Sequence, residues 1–275
     1  MGVRIAAGQP RQVTVQFPET ATNVQVTTTS ARNGTVSGPV PATNVGGGVW
    51  GHTLTYADVQ DPDKLTLTFT GEVGGNPYQV RSDVDVAGSH YFTLEEARSI
   101  GGISSSTSDA EIESARFSVE DQIEANCDTS FVSRLVVEEL SPNPGEPFVR
   151  LTEAYVLRVV SVEDHGVDIT DEVVADGRYL WREPRGWSPG LRSVRVVYEA
   201  GWSESPPEDL RRAAINAARY RLLEEARVGT PSNVITIGTD VGTVRMAVAS
   251  LKAPFGVPEV DAVVLRWAQK VGVDW

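Results

Sequence analysis

Catalytic chemistry in this chain would have to be built from three histidines, one cysteine and a surplus of carboxylates. His52, His90 and His165 lie far apart, and no two have the i, i+4 or short-loop spacing of a metal site. Cys127 follows an acidic stretch that would raise its thiol pKa, so it reads as a small buried hydrophobe. A lone cysteine also excludes a disulfide framework and a thiolate zinc cluster. Glycine-rich stretches at Gly46–Gly48, Gly74–Gly75 and Gly101–Gly102 never run on into Gly-Lys-Ser/Thr, and no Gly-x-Ser-x-Gly elbow is present. Asp58, Asp61 and Asp63 could line a calcium site in a strand-connecting loop, but read as a solvated acidic turn. A glycosidase dyad needs two carboxylates at a fixed separation, which spacing alone does not supply. The expectation is a protein without catalytic residues, metal or cofactor.

Composition narrows the class further. The 275 residues predict about two domains, each large enough to bury a core. Charged residues make up 22% and the net charge is −13, so there is no chain-wide basic footprint for nucleic acid or an anionic membrane. No run approaches the ~18 apolar residues of a membrane span. The N-terminal apolar stretch is too short for a signal peptide. The expectation is an intracellular protein, or part of a particle assembled inside a cell, with no membrane partner.

The elements that would position any site fall into four blocks. Residues 1–89 alternate with period two: Val13, Val15 and Phe17; Val24 and Val26; Leu65, Leu67 and Phe69; Tyr78, Val80, Val84 and Val86. Asn33-Gly34 and the glycine clusters punctuate them as turns. Short strands at this spacing predict an immunoglobulin-like β-sandwich. Residues 90–130 turn helical. Thr93 with Glu96, and Ser108 with Glu111, have capping-box spacing, predicting helices over 93–100 and 109–125. Ile112, Ala115, Val119 and Ile123 form the apolar stripe of the second. Residues 131–200 return to strands, with a tight hairpin at Asp164-His165-Gly166. Ser205-Pro206-Pro207-Glu208 starts a helix over 206–227. A hairpin around Asp240–Gly242 and a last helix over 258–270 follow. The fold class is α+β: a sandwich over 1–89, then a helical core over 90–275 carrying a β-rich insertion at 131–200.

Two helices invite a sharper reading. Leu210, Ala213, Ala214, Ala217 and Tyr220 mark one face of helix 206–227, and Ile215, Ala218 and Leu222 another. A helix apolar around most of its girth is buried on more than one side, and alanines permit close approach of a neighbour. Packing between copies would supply such partners. On helix 109–125, Glu111, Glu113, Glu120, Asp121 and Glu124 form either a solvated face or a wall along which a polyanion slides without sticking.

From residue 90 onward the order of blocks resembles the head-to-tail adaptor (head-completion or connector) proteins of long-tailed bacteriophages. The similarity rests on a colinear set of segments. These are Tyr91-Phe92-Thr93-Leu94-Glu95-Glu96-Ala97-Arg98; Ser108-Asp109-Ala110-Glu111-Ile112 with Ile123-Glu124; and Arg178-Tyr179-Leu180-Trp181-Arg182 with Gly186-Trp187. Val194–Tyr198 leading into Ala200-Gly201-Trp202 and Pro206-Pro207-Glu208-Asp209-Leu210-Arg211 is the fourth, and Phe255-Gly256-Val257-Pro258-Glu259-Val260-Asp261 the last. The resemblance implies a dodecameric ring in the virion neck, assembled in the host cytoplasm. The ring sits beneath the portal protein and above a head-completion or tail-completion protein. Double-stranded DNA passes through its lumen without specific binding. It implies a portal interface at Phe255, Gly256, Val257, Pro258, Val260 and Trp267, neighbouring copies as partners, and the acidic residues of 109–125 facing the channel. Residues 1–89 lie outside this likeness. Their sandwich, with Trp50 and Tyr56, also leaves open a carbohydrate-binding module.

Overall fold

The structure is a computed structural model that describes residues 3–143, 145–183, 185–203, 205–226, 236–239, 242–245 and 254–271. The chain forms two compact units: Met1–His90 with Val132–Glu204, and Tyr91–Phe131 with Ser205–Trp275. It is α+β, with more strand than helix.

The first unit begins with β1 (Val3–Ala6), β2 (Arg11–Gln16), β3 (Ala21–Ser30), β4 (Val36–Pro41), β5 (Thr43–Gly46), β6 (Val49–Leu54), β7 (Asp63–Val73) and β8 (Asn76–Ala87). They form a five-stranded sheet ordered β1-β8-β7-β3-β4 and a three-stranded sheet ordered β2-β6-β5. All pairings are antiparallel except β1 with β8. The alternating residues do what their period requires. Val13 and Val15 of β2 and Leu54 of β6 share one core with Val26 of β3, Leu67 and Phe69 of β7, and Val84 and Val86 of β8. Each large side chain buried there contributes roughly 1.5–3 kcal/mol of transfer free energy.

The insertion supplies β9 (Arg134–Leu140), β10 (Phe148–Arg150), β11 (Val156–Asp164), β12 (Val167–Asp168), β13 (Val174–Asp176), β14 (Tyr179–Trp181) and β15 (Val194–Ala200). Their sheets are ordered β12-β11-β15-β9 and β10-β14-β13. Leu151, Val162, Leu180, Trp187, Val196 and Tyr198 lie in their common core. The β11–β12 turn has φ 53° at His165 and 77° at Gly166, the left-handed pair that a two-residue hairpin turn requires. Gly201 closes the block: its φ is +152°, and a Cβ there would stand 2.4 Å from the Val132 carbonyl oxygen.

Contacts group the insertion with residues 1–90, whereas the linear reading groups it with the helices. The apolar cores of the two parts are separate, and polar contacts join them. Asp85 of β8 accepts from Arg4 Nε at 3.2 Å and also from Arg134 of β9. Glu199 of β15 accepts from Arg32 Nη1 at 2.7 Å and from Arg158 Nη2 at 2.5 Å. The Gly88 N–H donates to the Ser133 carbonyl at 2.7 Å, and Arg195 Nη2 to the Ala31 carbonyl at 3.1 Å.

The second unit holds α1 (Leu94–Ser99), α2 (Asp109–Cys127), α3 (Glu208–Ala226) and α4 (Pro258–Val271), with β16 (Thr236–Thr239) paired antiparallel to β17 (Gly242–Arg245). Helix α2 runs two residues past the expected end and stops where Asp128 turns left-handed at φ 51°. Helix α3 begins at Glu208, after both prolines, with the Pro207 carbonyl accepting from the Arg211 N–H at 2.8 Å. Arg227, Asp240 and the outer ends of the expected hairpin lie outside the described residues. A Cβ on Gly101 would lie 2.8 Å from Ile215 Cγ2, so glycine at the end of α1 lets α3 approach closely.

Candidate functional site

The helical unit is built outward from its caps. Both predicted capping boxes form. Thr93 and Glu96 exchange bonds at 2.8 and 3.1 Å, and Ser108 and Glu111 at 2.7 and 3.3 Å. Arg98, in the last turn of α1, ties that end to the start of α2: its guanidinium donates to the Ser104 and Thr107 carbonyls at 3.0 Å and pairs with Asp109 at 2.6 Å. Arg211 of α3 pairs with Glu96 at 2.6 Å, tying the third helix to the same corner.

The acidic residues of α2 do not form one exposed wall. Glu120 is fully buried and accepts the Tyr91 N–H at 2.8 Å. It lies on the flank of the apolar stripe, where the chain entering α1 covers it. Glu124 is half-buried, accepting from the Ser130 hydroxyl at 3.1 Å and the Tyr91 hydroxyl at 3.3 Å. Glu113 is also half-buried. Glu111 is exposed but committed to its cap, and the Ser108 hydrogen bonds hold its pKa below the ordinary value. Asp121 is exposed.

The ring-packing set is similarly occupied within one chain. Leu210 and Ala214 are 0% exposed, and Ala213 and Ala217 4%. Helix α3 packs on α1, α2 and α4, so its small residues are already covered from several sides, and of the five named residues only Tyr220 is half-buried.

The C-terminal segment is pinned as well. Trp267 is 8% exposed; it meets the Phe131 ring edge-on, and its Nε1 donates to Asp209 at 3.2 Å. Lys270 Nζ lies 4.2 Å from the centroid of the same indole. Val260 and Gly256 are buried, Phe255 and Val257 half-buried, and Pro258 exposed. The Phe255 N–H donates to Asp261 at 2.8 Å, and Gln122 Nε2 to the Pro254 carbonyl at 2.7 Å. Trp267 and Val260 are therefore core residues of the helical unit, not a free docking surface. The sequence reading missed Asp209 and Tyr91 as organisers, because each looked like an ordinary residue at a helix start.

Several of the remaining chemistry-bearing side chains are structurally engaged. Cys127 is buried, its thiol donates to the Val264 carbonyl at 3.8 Å, and burial with the nearby Glu124 charge pushes its pKa up to about 12. Asp58 caps Thr55 at 2.7 Å. Asp63 accepts from the Ser30 hydroxyl at 2.5 Å and from the N–H groups of Arg32 and Lys64 at 2.9 and 2.7 Å. These two carboxylates border a polar cleft of about 230 Å³ shared with Asp61, but no cluster able to hold a metal occurs among the described residues. His165 Nδ1 lies 2.8 Å from Asp164, which also accepts from Arg182 at 2.6 Å. Burial would raise the Asp164 pKa, but the bonds from His165, Ser188 and Arg182 outweigh it and hold it low. Trp50 is half-buried against the sandwich core, while Tyr56 is 59% exposed. No helix among the described residues is long and apolar enough to cross a membrane.

No protein-family model matches the sequence, and no curated protein matches it. Among solved structures, the chain is similar to one from the neck of the empty GTA particle computed with C6 symmetry. That match has 17% identity, covers 64% of this chain and 88% of the other, and has a TM-score of 0.44. A second similar chain comes from the neck of the native GTA particle computed with C12 symmetry, with 17% identity, 58% and 82% coverage, and a TM-score of 0.39.

Proposed function

We propose that this protein is a head-to-tail adaptor in the neck of a phage-like particle, acting by binding and without a chemical step. In this reading a dodecameric ring of copies sits beneath the portal protein, extends the DNA channel and presents its lower surface to a head-completion or tail-completion protein. The virion neck is its location, after assembly in the host cytoplasm.

One observation carries the reading. Two segments remote in sequence, 91–131 and 205–271, close on one helical core, and the β-rich insertion between them packs into the other unit. A helical core interrupted by a β insertion is what the adaptor resemblance implies. The resembling segments also fall at the starts of α1 and α2, at β14, at the passage from β15 to α3, and at the entry to α4. The Arg–carboxylate pairs of Asp85 and Glu199 bind residues 1–89 to the insertion of the same chain. The net charge of −13 favours a DNA conduit that does not hold its cargo.

The test is particle mass by light scattering, with negative-stain imaging, for the full chain mixed with the portal protein of the same particle. A ring of about twelve copies on the portal is expected. A chain that ignores the portal at micromolar concentration would overturn the proposal.

A further inference from the structure

Once the core of the helical unit is accounted for, the outward faces of α2 and α3 are left over. Among the described side chains of α3 the exposed ones are Glu208, Arg212, Asn216, Arg219 and Leu223. Their steps of three and four residues place them on one continuous stripe. Arg212 pairs with Glu208 of its own helix at 2.9 Å, and Leu223 is 53% exposed. Arg219 has no ion-pair partner among the described residues.

Along α2 the exposed positions include Ser114, Asp121 and Ala125, continued by Asp128 at the C-cap. They share one side of the helix by the same spacing, and neither Asp121 nor Asp128 has an ion-pair partner among the described residues. The two carboxylates are seven residues apart, as are Arg212 and Arg219, which at 1.5 Å per residue is about 10 Å in both cases. Small side chains at 114 and 125 leave room for a helix to approach.

We infer that the outward stripe of α3 in one copy packs on the outward face of α2 in a second copy of this chain, setting Arg212 and Arg219 against Asp121 and Asp128. Charge selects the occupant. A chain carrying −13 repels its own kind over most of its surface, so copies meet where one face is net positive, here Arg212 and Arg219 against the single carboxylate of Glu208, and the other is acidic. Two different faces make a head-to-tail contact, which repeats into a closed ring or an open filament. The inference rests on the ring reading above and gives that ring its contact. It also assigns Asp121 to a neighbour's arginines rather than to the lumen.

The test is sedimentation velocity of the full chain up to roughly millimolar subunit concentration. Three proteins are compared: the wild type, the variant R212E/R219E, and the charge-swapped variant R212E/R219E/D121R/D128R. All four positions are exposed, and matching circular dichroism melts establish that the fold is intact. The wild type is expected to associate, R212E/R219E at least about tenfold more weakly, and the swap to recover most of the loss. Association of the wild type that R212E/R219E leaves unchanged overturns this contact while the ring reading stands. A wild type that stays monomeric throughout also overturns the contact, and the portal mixture then decides the ring reading separately.

Discussion

The indole of Trp267 in α4 lies edge-on to the Phe131 ring, with centroids 5.6 Å apart and planes at 80°. This pair joins the C-terminal helix to the chain leaving α2, and Asp209 at the start of α3 completes the joint by accepting the indole N–H. The residue that looked most like a docking anchor is thus a keystone of the helical core.

Trp267→Ala is therefore a stability variant. It should cost about 3–5 kcal/mol, from the cavity it leaves and the lost partner of Asp209. Urea unfolding followed by helical circular dichroism measures this. A loss below about 1 kcal/mol would contradict the packing role.

Glu199 should govern part of the acid limb of stability. Burial raises its pKa, but hydrogen bonds and charges of Arg158 and Arg32 outweigh that and hold it below the ordinary 4.5. A depressed carboxylate pKa contributes stability that is complete above 4.5 and is lost as pH falls through the folded-state value. Glu199→Ala should cost about 2–3 kcal/mol at neutral pH, below the range of a fully buried pair because Arg158 is 55% exposed. Melting temperature against pH should flatten in the acid range for this variant. An unchanged slope would contradict the pairing.

Cys127 should be inert in the folded protein. With its pKa pushed up to about 12 and its sulfur buried, it should not react with a thiol reagent at pH 8 until the helical unit unfolds. Rapid labelling of the native chain would show that α2 and α4 do not cover it as described.

The two capping boxes should be measurable individually. Ser108→Ala and Thr93→Ala each remove a bond to an N3 amide and should each cost about 1 kcal/mol. Thermal melts of the single variants check this, and neutrality of both would mean that the caps do not hold the helix starts.

What was legible in the sequence was what is local. A capping box spans three residues, and a strand's alternation is carried by its own neighbours. Both therefore appeared where Thr93–Glu96, Ser108–Glu111 and Leu65–Phe69 predicted. What was not legible depends on partners remote in the chain. Arg32 meets Glu199 across 167 positions, and that pairing, with Asp85 to Arg134, draws the insertion to the sandwich. Glu120 reads as one more acid on an acidic helix until Tyr91 is seen to cover it. The periodicity of α3 showed that its alanines are buried, but not that α1, α2 and α4 of the same chain bury them.

The most direct measurement is the mass of the complex formed when the full chain meets the portal protein of its own particle. The adaptor account expects a ring of about twelve copies seated on the portal. A chain that remains unbound at micromolar concentration, its melting curve showing both units folded, would contradict it.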